Sequence, residues 1–315
     1  MSAARVLRMG TRGSPLARAQ SSWYARLLES KHPGLSVETV AIKTSGDTLS
    51  ERVGEGRFDA AAPGVPDPNV KAMFVKEIET ALLERRVDFA VHSAKDLPAD
   101  VPAELTLAGF PVREDPADVF IGAPGVAAFA ALPDGAAVGT ASLRRQIQLR
   151  KARPDLSFVS LRGNVDTRLR KLAEGRAAGI VLALAGLRRL GLDKTPHEVL
   201  PTELVVPAPG QGALAVECRA DAAGVLALLA PTLDERTRLE VDVERRLLKA
   251  VGGGCATPLG ALARAEGAAV SLTVFWSDAG GLRPRRLSGR AGLRPEELDS
   301  LVDGLAARLT AAAQD

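Results

Sequence analysis

The chain has 315 residues, 46% of them apolar and 25% charged, the composition of a globular protein long enough for two or three domains. Lys+Arg at 41 against Asp+Glu at 38 leaves a formal net charge of +3, and aromatics make up 3%, which speaks against nucleic-acid binding through a basic excess or stacking platforms. Two cysteines and three histidines argue against a disulfide scaffold and a histidine metal site, and no apolar run nears the ~20 residues of a membrane-spanning helix.

Met1–Arg8 enters a strand-like run with no signal-peptide core, so the expected location is the cytoplasm. Val6–Met9 reads as a strand, and Ser14-Pro15 as an N-cap with proline at the first helical position, opening a helix over Leu16–Leu28. Leu35–Ile42 is the next strand. Gly54–Asn69 has no apolar period and reads as a mobile loop. Phe74–Arg86 has a helical period, and Val87–His92 is a strand. A second block starts near Arg113. It holds a strand at Ala136–Gly139, a helix from Ser142 through Ala152 and a strand at Leu156–Leu161. A helix from about Thr167 to Glu174, a strand at Gly179–Leu184 and a helix through Leu190 follow. Pro201–Pro209 is a crossover segment, and Gln211–Cys218 returns as a strand. The third block starts at Pro231, where Thr232 and Glu235 form a capping-box pattern for a helix to Ala250, ended by Gly252-Gly253-Gly254. Strands at Val270–Trp276 and Arg286–Arg290 precede a final helix over Pro295–Ala313. The alternation predicts α/β layers with mainly parallel strands.

Cations recur at the strand-to-helix turns: Arg12, Lys95, Arg144, Arg145, Arg162, Arg168, Arg188 and Arg189. Ligands of open α/β sheets bind beyond the carboxyl ends of the strands. A cation at a helix start opposes the helix dipole, so several at one edge point to an anionic ligand. Arginine suits carboxylates because its planar fork donates two parallel hydrogen bonds. Taken singly, each arginine reads equally well as a solvated helix residue. Arg150, Lys151, Arg153, Arg170, Lys171 and Arg176 lie deeper in or after helices and are assigned to solvent. In His92-Ser93-Ala94-Lys95-Asp96, an acid beside a lysine at a strand end suits stabilisation of a cation or proton transfer, or a plain surface pair. Ser93 suits a ligand carboxylate or a turn cap, and His92 reads as a satisfied core histidine. Cys255, between Gly254 and Ala256-Thr257-Pro258, sits in a tight exposed loop. It follows a helix C-terminus, whose dipole raises a thiol pKa, so it suits a single capture of a strong electrophile better than repeated acyl transfer. Cys218 alternates as a strand residue and reads as structural.

Seven segments resemble the porphobilinogen deaminase family: Thr11–Ala17, Val91–Pro98, Gly139–Gln146, Leu161–Val165, Ala185–Gly191, Pro209–Ala213 and Gly253–Pro258. They fall in the family's order across nearly the whole chain. The resemblance implies an α/β protein of three domains. Two are type II periplasmic-binding-protein-like lobes, residues 1–112 with 208–230 and residues 113–207. The third, residues 231–315, is a smaller C-terminal α/β domain that carries the cofactor. It implies a dipyrromethane joined by a thioether to Cys255, on which porphobilinogen units add with loss of ammonia to give a linear tetrapyrrole. By the same resemblance Asp96, Arg12, Arg162 and Arg168 are catalytic. Lys95, Asp96, Ser93, Thr140, Ser142, Arg144, Arg145 and Gly163 contact the cofactor. Arg12, Ser14, Phe74, Arg162, Arg168, Arg189 and Gln211 contact the substrate. The expected partner is porphobilinogen alone, with no nucleic acid, no membrane and a monomeric chain. Two departures stand out. Asn69-Val70-Lys71-Ala72-Met73-Phe74 keeps the family's Lys and Phe but lacks its glycines, after a longer and more proline-rich loop; Ala141 stands where the family often has Ser. The main alternative is a two-lobed binding protein for a carboxylated small molecule, which leaves the third domain and the Gly-Gly-Cys loop unexplained.

Overall fold

The computed structural model describes residues 5–44, 72–252, 257–278 and 280–311, with residues 72–74 described by their backbone alone. The Gly54–Asn69 loop, Lys71, the Phe74 side chain and Cys255 lie outside the described residues.

The chain opens with β1 (Arg5–Arg12), α1 (Pro15–Lys31) and β2 (Leu35–Ile42). Ser14 caps α1 by accepting from Ala17 N at 3.3 Å, and Pro15 starts the helix where its missing N–H is no loss. Gln20, Tyr24 and Leu28 repeat every four residues, so one face of α1 is buried against the sheet. After α2 (Ala72–Leu83) come β3 (Phe89–Ser93) and β4 (Leu105–Gly109). The chain then crosses to a second lobe: β5 (Asp118–Gly122), β6 (Ala137–Gly139), α3 (Leu143–Ala152), β7 (Ser157–Val159), α4 (Val165–Ala173), β8 (Gly179–Ala183), α5 (Leu184–Arg189) and β9 (Glu198–Leu200). A second crossover returns it to the first lobe as β10 (Leu214–Arg219) and α6 (Ala223–Leu229). The third domain is α7 (Glu235–Ala250), β11 (Leu259–Glu266), β12 (Ala269–Trp276), β13 (Arg285–Gly292) and α8 (Pro295–Thr310).

The first sheet runs β2-β1-β3-β10-β4 and the second β7-β6-β8-β5-β9. They share one plan: in each, four strands point one way and a single reversed strand, β10 or β5, is the one that has arrived from the other lobe. These are the two type II periplasmic-binding-protein-like lobes of the expected α/β fold. The expectation of mainly parallel strands is met only in part: each lobe has two parallel and two antiparallel pairings, and the third sheet, β11-β12-β13, is wholly antiparallel, because hairpins rather than helices join its strands. The central strands β3 and β8 are buried almost throughout, as sheets covered on both faces require.

One cap differs from expectation. Asp234, not Thr232, caps α7 by accepting from Thr237 N at 2.7 Å. The Thr232 hydroxyl donates to Leu229 O and meets the Tyr24 hydroxyl, each at 2.7 Å.

Several contacts join the domains. Arg113, on the first crossover, pairs with Glu244 of α7 at 2.8 and 3.0 Å. Glu244 also accepts from Gly210 N on the second crossover at 2.6 Å and from Ala263 N of β11 at 2.9 Å. Ile147 of α3, Val206, Leu262 and Phe275 form a small apolar cluster between the second lobe and the third domain.

Candidate active site

In the first lobe, Arg12 ends β1, and the turn after β3 is a single 3-10 turn over Ala94–Asp96. Ala94 N donates to Ala213 O at 3.0 Å, which ties this turn to the second crossover. Gly210 there has φ 70, and a Cβ on it would lie 3.0 Å from Ala94 Cβ and 3.1 Å from Lys95 N, so only glycine lets the crossover pack this closely. The Ser93 hydroxyl accepts from Gln20 Nε2 at 2.9 Å. His92 is a buried, satisfied histidine with Nε2 3.0 Å from Glu217 Oε2. Cys218 is fully buried in the first-lobe core, as its strand position suggested.

In the second lobe, Thr140 Oγ1 accepts from Ser142 N at 3.2 Å and orders the turn into α3. Ser142 stands at the N-cap of α3, without a capping bond from its side chain. Arg144 and Arg145 follow, both buried, and both turn back to Asp118 at the start of β5. Arg162 and Gly163 form the turn between β7 and α4. Gly163 has φ 120, and a Cβ there would lie 2.7 Å from Thr167 Cγ2. The Gly163 carbonyl accepts from Arg168 Nε at 2.8 Å, and the Arg162 carbonyl from Lys171 Nζ at 3.1 Å. Arg162 Nε is buried without a hydrogen-bond partner among the described residues. Arg189 donates to Gly212 O on the second crossover at 2.6 Å, while its neighbour Arg188 makes an outer ion pair with Glu114. Gln211 is buried; its Nε2 donates to Pro116 O at 2.7 Å and to Asp118 Oδ1 at 2.8 Å, leaving Oε1 without a partner among the described residues.

The electrostatics join the two lobes. Burial of its amino group brings Lys95 down to about 8, against the pull of Asp96 and with the repulsion of Arg145. Burial likewise brings Arg168 down to about 10, with Arg145 and Arg162 repelling it and Asp96 opposing the fall. Arg189 is brought down to about 10 by burial, which Glu114 only partly offsets. Lys95 and Asp96 of the first lobe thus sense the cations of the second across the cleft. Lys95, Arg162, Arg168 and Arg189 make no ion pair among the described residues. Partly desolvated charge left uncompensated in this way favours an anionic ligand.

Asp118 and Gln20 have no place in the expectations, and Gln146 enters them only as the end of the Gly139–Gln146 segment, with no role of its own. Gln146 Nε2 donates to Thr140 O at 2.8 Å and steadies the same turn. An acid opening the apolar run Asp118–Gly122 is the one local sign of the first.

Residues 7–227 match the family model described as "Porphobilinogen deaminase, dipyromethane cofactor binding domain", and residues 238–309 match that described as "Porphobilinogen deaminase, C-terminal domain". The chain belongs to the porphobilinogen deaminase family. It is 49% identical over 263 residues to a porphobilinogen deaminase from Roseiflexus sp. (strain RS-1), covering 84% of this chain and 83% of the relative. It is 46% identical over 284 residues to one from Sorangium cellulosum (strain So ce56), covering 90% and 91%. Among solved structures, the periplasmic aliphatic sulphonate binding protein SsuA from Escherichia coli is similar at a TM-score of 0.41 and 15% identity, covering 98% of this chain and 88% of that one.

The first of these models is that of a domain binding a dipyrromethane, and the residues present fit such a group. A dipyrrole with acetate and propionate arms offers several carboxylates and two pyrrole N–H groups. The cleft offers unpaired cations, Lys95, Arg162 and Arg168, for the former. For the latter it offers the Asp96 carboxylate as an acceptor.

Proposed function

We propose that the chain is a transferase that condenses four porphobilinogen molecules head to tail, losing ammonia each time, and releases the linear tetrapyrrole with one molecule of water as hydroxymethylbilane. The primer in this reading is a dipyrromethane joined by a thioether to Cys255. One observation carries it: Lys95 of the first lobe and Arg168 of the second, neither in an ion pair among the described residues, both lie within electrostatic reach of the Asp96 carboxylate. Each porphobilinogen brings an acetate and a propionate, so a ligand that grows by such units gains two negative charges per addition and needs a cleft of this kind.

Bound, the dipyrromethane would supply the pyrrole carbon to which the first unit joins. Lys95, Ser93, Thr140, Ser142, Arg144, Arg145 and Gly163 would hold it. Arg12, Ser14, Phe74, Arg189 and Gln211 would orient the incoming porphobilinogen, with Arg162 and Arg168 on its carboxylates. A charged hydrogen bond of this kind contributes about 1.5–3 kcal/mol. As ammonia leaves the substrate, positive charge develops on its pyrrole. The Asp96 carboxylate would stabilise that charge and accept the proton lost when the new carbon–carbon bond is complete. Low dielectric between the lobes strengthens both effects.

The intact mass of the purified protein tests this reading. It is expected to exceed the sequence mass by one dipyrromethane, and the excess is expected to vanish in Cys255→Ser. A fully active protein of unmodified mass defeats the covalent primer. Asp96→Ala is expected to fold, to bind porphobilinogen and to turn over at less than about a hundredth of the normal rate, the usual scale for a proton-transfer group. A near-normal rate removes Asp96 from the chemistry. A binding protein for a carboxylated molecule would instead return porphobilinogen unchanged.

A further inference from the structure

Asp118 opens β5 directly after the first crossover, and its residue is 0% exposed. Its Oδ2 accepts from Arg144 Nη1 at 2.8 Å. Its Oδ1 accepts from Arg145 Nη2 at 2.6 Å, from Arg145 Nε at 3.1 Å and from Gln211 Nε2 at 2.8 Å. One carboxylate therefore gathers two guanidiniums from α3 and an amide from the second crossover. Each of these groups has another anchor. Arg144 donates to Val206 O at 2.6 Å, Arg145 to Val181 O at 3.0 Å and Gln211 to Pro116 O at 2.7 Å. Held at two points, none can swing without breaking a buried hydrogen bond.

The charges show why an acid is needed here. Two buried guanidiniums side by side repel one another and are costly to desolvate. Burial alone would push the Asp118 carboxyl up, but Arg144 and Arg145 outweigh it and hold the carboxyl well below the ordinary range. The group stays ionised, and two cations against one anion leave a single positive charge. Lys95 of the facing lobe senses all three of these groups.

We infer that Asp118 is a positioning residue for the reaction: it fixes the charge of Arg144 and Arg145 and the amide of Gln211 opposite the Lys95–Asp96 turn, so that an anionic ligand meets a field already in place. The inference rests on the proposed reading of the cleft as a site for a carboxylated ligand. Preorganised charge acts without reorganisation when the ligand arrives, whereas arginines free to move would have to be ordered at that moment.

Asp118→Asn and Asp118→Glu separate this role from a merely structural one. The first removes the charge, and the second keeps it but moves it by one methylene. Intact mass reads dipyrromethane loading, circular dichroism reads folding, and kcat and KM are taken per loaded molecule. Loading of Asp118→Asn is expected to fall below a fifth of wild type, as expected when buried cations lose their fixed places. Asp118→Glu is expected to load, with KM for porphobilinogen raised about tenfold or more and kcat changed less, the pattern for lost ligand binding. A purely structural role would lower yield and melting temperature and leave the constants per loaded molecule unchanged. Wild-type kcat/KM per loaded molecule in either soluble variant overturns the inference, and so does insolubility of both. A wild type without the dipyrromethane mass would strike down the reading of function as well, whereas a loaded wild type with unaffected variants strikes down only the role of Asp118.

Discussion

Lys95 shows how one residue couples the cleft to pH. Its amino group, crowded by protein and by Arg145 and Arg144 but facing Asp96 and Asp118, loses its proton near pH 8 rather than near the ordinary 10.5. The sign follows directly. Below about pH 8 the group is an ammonium and attracts carboxylates; above it the attraction fades. For the free protein, kcat/KM should therefore fall by about tenfold between pH 7 and pH 9, the ratio of the protonated fractions. Arginine at this position stays charged throughout, so Lys95→Arg should lack that fall. Equal pH profiles for the two proteins would show that Lys95 does not meet the ligand. Stability moves the other way. The folded-state pKa lies below the unfolded one, so between about pH 8 and 10.5 the unfolded chain binds the extra proton, and the fold gains stability as pH rises through that window.

At the scale of one element, the turn between β7 and α4 depends on Gly163. Its φ of 120 is a region that side chains avoid, and an added Cβ would strike Thr167 at 2.7 Å. Gly163→Ala should cost about 1–3 kcal/mol for the backbone strain. The same carbonyl anchors Arg168 Nε, so KM for the carboxylated substrate should rise more than kcat falls. Denaturant unfolding and steady-state kinetics on one preparation check both effects; a destabilised variant with normal KM would separate the turn from ligand binding. This turn was readable in advance because Arg162 and Gly163 are neighbours between two clear periodic segments. Other elements were not. Strand β9 has three residues, too few for a period to register, and the apolar runs of β4, β5 and β11, though bounded by proline and glycine, have no clear period of two to tell a strand from a buried helical stretch. The reversal of β5 and β10 is decided by the crossovers that deliver them, not by their own residues. Asp118 stayed hidden for a similar reason: its partners lie 26, 27 and 93 residues away. The sequence pointed to Thr232 as the cap of α7, but in the fold its hydroxyl is taken up by Leu229 O and by Tyr24, 208 residues distant, and Asp234 caps the helix instead.

Across the whole molecule the decisive group is Glu244, whose side chain is 0% exposed against 5% for its partner Arg113. It joins the first crossover through Arg113, the second through Gly210 N and the third domain through Ala263 N. Glu244→Ala would leave Arg113 only the longer 3.5 Å pair with Glu240 and would strip two buried backbone N–H groups of their acceptor, and removing one partner of a buried pair costs about 3–5 kcal/mol. Lys249 and Asp100 form a 2.6 Å pair between α7 and the first lobe, but with side chains 68% and 74% exposed. Asp100→Ala should cost less than about 1 kcal/mol, because solvent screens such a pair. Parallel urea titrations test the contrast, and equal losses would refute it. The consequence should reach the cleft too. Gly210 packs on Ala94 and Lys95 while its N–H is held by Glu244, and Ala263 lies on β11, which begins four residues after Cys255 in the sequence. Loss of Glu244 should therefore loosen both the Asp96 turn and strand β11. Cofactor loading, read by intact mass, should drop in Glu244→Ala and hold in Asp100→Ala.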